Sequence, residues 1–369
     1  MKKALSKNCK DWLMALAATI LSLLLSVVIV RFVSSVADYV NGDDKKFEFT
    51  DIYARVAERR SVAKLSEEVV IASVDGCSRE RISQVIDAVN FFSPAAVGLD
   101  LFFTYPSEEG LLLANSIRDC EKMILPVAVG RENSRSFFYG DFKASYAAVN
   151  MISSSIHDVV REYATSFKSD SLEYASMAQA LVELAGYEVP AADKRHRDIS
   201  YPSVDFDIIR ADELLDENGF PAMEAADRIE GKIVLIGVVD DMSDVHMTPI
   251  DEEMPGISIH AHIIDTIIHD KHVHQLPGFW NVFIAFFSCL LFIRLHFFAK
   301  ARLKDVGELI MSGLQLVLMY IFLVLGANLY IRHGVFADFS LAFVMIGLSF
   351  TFVTWIKAGI FIYNKAKKK

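Results

Sequence analysis

Apolar positions fall into two regimes along this chain. In residues 12–33, 279–298, 309–331 and 335–356 they run almost unbroken. Each stretch is roughly 20 residues or more, which is what a hydrocarbon core about 30 Å thick demands of a helix. Between the first and second stretches the apolar runs are short and bounded by polar residues. Residues 69–75 (VVIASVD), 95–103 (AAVGLDLFF) and 123–129 read as buried strands. Between them, residues 79–92 place Ile82, Val85, Ile86 and Val89 on one side of a helix, and residues 108–119 carry Leu111, Leu112 and Ile117. Strand and helix alternating in this way predict a parallel sheet with right-handed crossovers.

The rest of the region is more mixed. Residues 41–46 have the turn chemistry of a polar linker, and residues 52–65 read as a helix. Residues 146–151 and 159–167 read as antiparallel strands, 172–185 as a helix and 189–200 as a polar loop. Residues 206–210 suit an edge strand and 211–216 a helical turn. Residues 231–276 organise the whole. They open with an apolar run, Lys232 to Gly237, and pass through an acidic loop to the turn Met254-Pro255-Gly256. Ile257, Ala261, Ile264 and Ile268 then recur at helical spacing. Pro277-Gly278 follows, and the next residues enter the second apolar stretch. The chain thus divides into a cytoplasmic N-terminus and first membrane helix (1–37), an extracytoplasmic α/β domain (38–278) with a mostly parallel sheet plus antiparallel strands, and three further membrane helices with a basic tail (279–369).

Composition and charge orient this arrangement. The chain is 53% hydrophobic with a net charge of −10, too apolar for an ordinary soluble protein. Most acidic residues lie between Asp38 and Gly278. Basic residues cluster at Lys2, Lys3, Lys7 and Lys10, at Lys300, Arg302 and Lys304, and at Lys365, Lys367, Lys368 and Lys369. Four crossings put all three clusters on one side, which the positive-inside rule makes the cytoplasm. The expected location is the inner (cytoplasmic) membrane, with the main domain outside and both termini inside. The first apolar stretch exceeds the roughly 7–15 residues of a signal-peptide core, so it reads as an uncleaved anchor despite the small residues Ser35-Val36-Ala37. Cys77 and Cys120 fall at opposite ends of the expected sheet and are expected to stay reduced.

At these residues the chain resembles the second type of CHASE domain, the extracellular sensory modules associated with cyclases and histidine kinases. That family opens on a strand ending in Asp, matched by Asp75. A strand of the form AVxFDxxF is matched by Ala96 to Phe103, and one ending VxLP by Met123 to Pro126. The closing block GKIVLIG…TPxxxxMPGVxIHAxxID is matched almost continuously from Gly231 to Asp265. Two departures stand out: only Gly76-Cys77-Ser78 separates Asp75 from Arg79, where the family carries a longer Trp-Pro-rich loop. His157-Asp158 stands where the family tends to have Asp-Gly. The resemblance implies a sensory domain followed by three membrane helices. Family members that signal alone carry an output domain after the last helix, so a separate output polypeptide is the expectation here.

Carboxylates at strand ends are the strongest chemical candidates. Asp75, Asp100, Asp240 and Asp241 sit just after or within buried strands, with Asp244 and His246 close behind. Ligands of open α/β sheets bind at the carboxyl ends of strands, so these side chains converge if the three strands are neighbours. They could then hold a hard cation or bind a cationic or hydroxylated ligand. Equally, they could cap helices and accept from backbone N–H groups in the loops. His260 and His262 point about 200° apart on a helix, which is wrong for chelating one ion, so they read as structural, as do His269, His272 and His274 near the membrane surface. No metal site and no cofactor is assigned.

No hydrolase or nucleotide-binding signature is present, and an acidic outer domain argues against nucleic acid. The leading expectation is a non-enzymatic sensory receptor binding an unidentified small molecule or protein outside. A structural subunit of an envelope complex is the alternative, and a metal-dependent phosphoesterase a weaker one. Within the last apolar stretch Gly347, Thr351 and Thr354 form a small-residue face that suits a membrane or cytoplasmic signalling partner. A homo-oligomer remains open. Gln315 can bond across helices, and no ionisable residue sits at mid-membrane, which argues against a pump or channel.

Overall fold

The computed structural model describes residues 7–40, 51–103, 105, 107, 110–131, 145–152, 159–169, 172–189, 196–271 and 273–366, with side chains of the first helix from Asn8 to Phe32. The linker at 41–46, the His157-Asp158 pair and His272 lie outside the described residues. The chain forms two compact units, Ala57–Val273 and the combination of Met1–Val56 with His274–Lys369.

The first of these units is built on a six-stranded, wholly parallel sheet. Its strands are β1 (Lys64–Ser73), β2 (Ala96–Asp100), β3 (Met123–Val127), β4 (Ser145–Ala148), β5 (Val204–Arg210) and β6 (Ile233–Gly237), ordered β4-β3-β2-β6-β1-β5. The last strand in sequence is therefore inserted between the first two. Side chains alternate strictly. Val70, Ala72, Val97, Leu99, Met123, Leu125, Val234 and Ile236 enter one buried cluster, while Val69, Ile71, Ala96, Ile124, Ile233 and Leu235 enter the other. Both faces are covered, which is why these strands are continuously apolar. Helices Arg79–Phe91 and Gly110–Asp119 cover the first face; Met177–Leu184 and Gly256–Ile268 cover the second.

Several local expectations need correction. Ser145–Ala148 pairs parallel with β3 and extends the main sheet, where the sequence suggests an antiparallel strand. The expected helix at 172–185 starts only at Met177, because Leu172–Ala175 pairs antiparallel with Ser166–Ser169 and Ser176 caps the helix by accepting from the Gln179 N–H. The polar loop at 189–200 contains a strand, His196–Asp198, paired with Glu162–Ala164. The helix at 52–65 ends at Arg60 and gives way to β1. All four cysteines are free thiols.

Among the described residues of the other unit, two helices are long and apolar enough to cross a membrane, Lys7–Val40 and Gly278–His333; a third counts if the bent pair Ser340–Gly347 and Ser349–Ala366 is taken as one span. The expected four separate spans are therefore not all separate helices. Gly278–His333 is broken at Lys304, whose φ of 51° and ψ of −126° are not helical. As one straight rod it would hold Cys289 and Gln315 about 39 Å apart at 1.5 Å per residue. Yet Cys289 Sγ lies 3.6 Å from the Met345 carbonyl, and Gln315 Nε2 donates to the Ile346 and Gly347 carbonyls at 2.9 and 2.7 Å. The rod thus folds back on itself at Lys304.

The last stretch also differs from expectation. Val335–Phe336 is a short strand beside His274–Gln275, and the helix beginning at Ser340 bends by 48° after Gly347. Gln315 satisfies carbonyls freed at that bend. Gly347 therefore lies on one side of the bend and Thr351 and Thr354 on the other, so they do not form one straight face. Thr19, Ser22 and Ser26 of the first helix are fully buried, as small residues at close helix contacts are. At the other end Tyr53, in the helix Asp51–Arg60, is fully buried against Gly326: a Cβ there would fall 2.3 Å from the tyrosine ring.

Candidate functional site

β1 and β2 both flank β6, so the strand ends bearing Asp75 and Asp100 adjoin the loop that carries Asp240, Asp241, Asp244 and His246. The six residues do not act as one group. Asp75 accepts from the N–H groups of Val239, at 3.1 Å, and Asp240, at 3.0 Å, and from the Ser73 hydroxyl. It ties the end of β1 to the loop leaving β6. Asp240 is exposed and contributes its backbone N–H to that tie.

The other four line a cavity of about 760 Å³ at the carboxyl end of the sheet, together with Phe102, Arg131, Asn150, Gly256 and His260 among others. That is a usual size for a small-molecule site. By strand alternation Asp100 lies on the side of Ala96, the face covered by Gly256–Ile268. Part of its surface is open and lines the cavity, yet protein surrounds it so closely that burial pushes its carboxyl up to about 7, helped by the Asp244 charge and opposed by His246. Among the described residues its carboxylate has no hydrogen-bond partner. Asp241 is exposed, and hydrogen bonds from the Ser243 side chain and, at 2.8 Å, from its N–H hold the carboxyl below the usual range.

Asp244 is fixed by the turn before the helix. Its backbone N–H donates to the Asp241 carbonyl at 3.0 Å, and its own carbonyl accepts from Gly256 at 2.9 Å. Its carboxylate lies against the helix start so closely that a Cβ on Gly256 would fall 2.6 Å from Oδ2. Negative charge is favoured there by the unsatisfied N–H groups of the first turn. His246 Nε2 faces Asp244 Oδ1 at 3.4 Å, and its Nδ1 has no partner.

His260 follows Gly256 by four residues and so shares its helix face. It is 3% exposed, its ring hydrogen-bonds the Val149 backbone, and its Nδ1 has no partner. Burial pulls its pKa down to about 4, so it is neutral at physiological pH. A buried acceptor without a partner costs about 1–3 kcal/mol. The sequence reading of a histidine bonded within the fold agrees with this burial and with the Val149 bond, and the structure adds that the residue also lines the cavity. Arg131 and Asn150, which follow β3 and β4, also line the cavity, and no strand-end carboxylate pattern marks them in the sequence.

The other histidines separate. His262 packs between the Tyr201 and Phe206 rings at 5.1 and 4.9 Å, a structural role. His269 is more than an interfacial residue: Nδ1 lies 3.1 Å from the buried carboxylate of Asp265, which Lys271 also meets at 3.0 Å. Among the described residues no group of three His, Cys, Asp or Glu is placed to hold a metal ion.

An α/β domain with a strand-end cavity, joined to apolar helices, has the architecture of a membrane-anchored sensory module. The family model of the CHASE2 domain matches residues 47–295, and the chain belongs to that family. CHASE2 domains are extracellular sensory domains rather than catalytic ones, so the protein carries an extracytoplasmic sensor and apolar helices able to span a membrane. No curated protein and no solved structure matches the chain.

Proposed function

We propose that the protein is a membrane-anchored receptor that takes a small molecule into the strand-end cavity and passes the resulting bias to its membrane helices. The observation that carries this reading is Asp100, a carboxylate enclosed by protein, open to the cavity and without a hydrogen-bond partner among the described residues. The cavity wall is also close in sequence to the membrane part: Gly256–Ile268 is followed within a few residues by the helix starting at Gly278. The signal leaves through a separate membrane or cytoplasmic partner docked at Gly347, Thr351 and Thr354. Thr351 and Thr354 are exposed, and a Cβ added at Gly347 would meet nothing within 4 Å.

The test is the melting temperature of the full chain with small-molecule extract of its own cell envelope. A ligand that binds only the native state raises it. The rise should vanish in Ala128→Phe, which fills the cavity, and partners should be lost in mild detergent from Thr351→Leu. An unchanged melting temperature with partners retained by both variants would replace the receptor with a scaffolding subunit.

For topology we propose four crossings of the inner membrane with both termini in the cytoplasm. The three basic clusters and the fold-back at Lys304 support this. In a cysteine-free background, Cys at Glu217 should react with an impermeant thiol reagent in cells with a permeable outer envelope, and Cys at Lys304 only after the inner membrane is opened. Reversed labelling would overturn the orientation.

A further inference from the structure

We infer that the cavity takes a small organic cation bearing several hydrogen-bond donors, an amine or a guanidine, seated on Asp100. This rests on the receptor reading and narrows its ligand. The lining is rich in acceptors. Asp100 accepts from nothing among the described residues, and Asp244 and Asp241 add two carboxylates. His246 turns Nε2 toward the Asp244 carboxylate and the neutral His260 ring bonds the Val149 backbone, and the Nδ1 of each has no hydrogen-bond partner among the described residues. The Asn150 amide is engaged both ways by Val129, accepting from its N–H at 2.7 Å and donating to its carbonyl at 2.9 Å.

The alternatives fit less well. An anion would seek the start of Gly256–Ile268, the usual seat for one, but the Asp244 carboxylate already lies there. Arg131 is the one permanent cation among the described lining residues, and it is exposed. A bare metal ion lacks a cluster of three ligands among the described residues. An organic cation instead matches a carboxylate with donors and can also lie on Phe102, an exposed ring of the same lining.

Ionisation gives the site a pH signature. The titratable and charged groups that share the cavity lining with Asp100 are Asp241, Asp244, His246, His260 and Arg131, of which Asp244 and His246 act on it directly. Since burial holds the Asp100 carboxyl near 7, cation affinity should climb as pH rises through that value.

The experiment uses the full chain in lipid nanodiscs, with 1,4-diaminobutane and arginine as cations, succinate as anion and 1,4-butanediol as neutral control, read by calorimetry. The two cations should bind and the controls should not. Asp100→Asn should weaken binding about tenfold or more, the loss of one hydrogen-bonded charge, and flatten the pH dependence. Ala128→Phe should abolish binding without touching a carboxylate. Binding of succinate or butanediol instead, lost in Ala128→Phe, would discard the cation while keeping the cavity receptor. Cation binding that survives both Asp100→Asn and Ala128→Phe would place it elsewhere and overturn the inference. Silence from every probe overturns it as well, and an inert envelope extract would then remove the receptor reading too.

Discussion

The ends of β1 and β2 carry the same short pattern, an apolar strand closed by aspartate, and they do opposite things. At β1 the Asp75 carboxylate is occupied by two backbone N–H groups and a hydroxyl. At β2 the Asp100 carboxylate has no partner among the described residues, and burial has shifted it. The difference lies in what β6 brings. Its outgoing loop turns the N–H groups of Val239 and Asp240 toward Asp75, while the same loop and the helix after it bring further carboxylates and imidazoles toward Asp100. One aspartate stabilises the fold; the other is left without a partner among the described residues, and ionising it costs stability, as it often does for residues at functional sites.

The comparison breaks most visibly at Asp75. Asp75→Ala strands two backbone donors and should destabilise the outer domain by about 2–4 kcal/mol. Hydrogen exchange should show protection lost first at the Val239 and Asp240 amides. Unchanged protection there would make the two aspartates equivalent after all.

Asp100→Asn should act with the other sign and a smaller size, on the order of 2 kcal/mol. The folded-state pKa of Asp100, about 7, lies above its ordinary value of 3.8. Between these values the folded state holds the extra proton, so its contribution is full below about 4 and is lost as pH rises through 7. The variant should therefore melt higher than wild type near pH 8 and converge on it near pH 4. His260, held down to about 4, tilts the whole-protein profile the opposite way below neutrality. Only the difference between variant and wild type isolates Asp100. A variant that melts lower at pH 8 would show that Asp100 has a partner.

Gly256→Ala should give the smallest change in stability. The gain in helix propensity, at most about 1 kcal/mol, offsets the push on the Asp244 carboxylate. Its effect should show instead as weaker binding of 1,4-diaminobutane with the melting temperature nearly unmoved. A large loss of stability would mean that Asp244 has nowhere to go.

Much of the sheet was legible because β1, β2, β3 and β6 are apolar on both faces and need no partner to be read. β4 was misassigned because Ser145–Ala148 is short and only half apolar; its parallel pairing is decided by β3. The hidden start of Met177–Leu184 had a local signal in Ser176, a capping residue three positions before Gln179. The bend after Gly347 had none, since apolar sequence reads alike whether straight or broken. For the site, the sequence named four residues that line the cavity but could not separate Asp75 from Asp100. The groups that separate them arrive from the far end of the domain sequence.

Tyr53 sits in a socket that exists only because position 326 has no side chain. The same ring meets Phe336 edge-on at 6.1 Å, and Asp51 and Ala54 beside it are also buried. Any side chain at 326 would have to evict the ring, so this one glycine sets how closely the start of the helix Asp51–Arg60 can approach it.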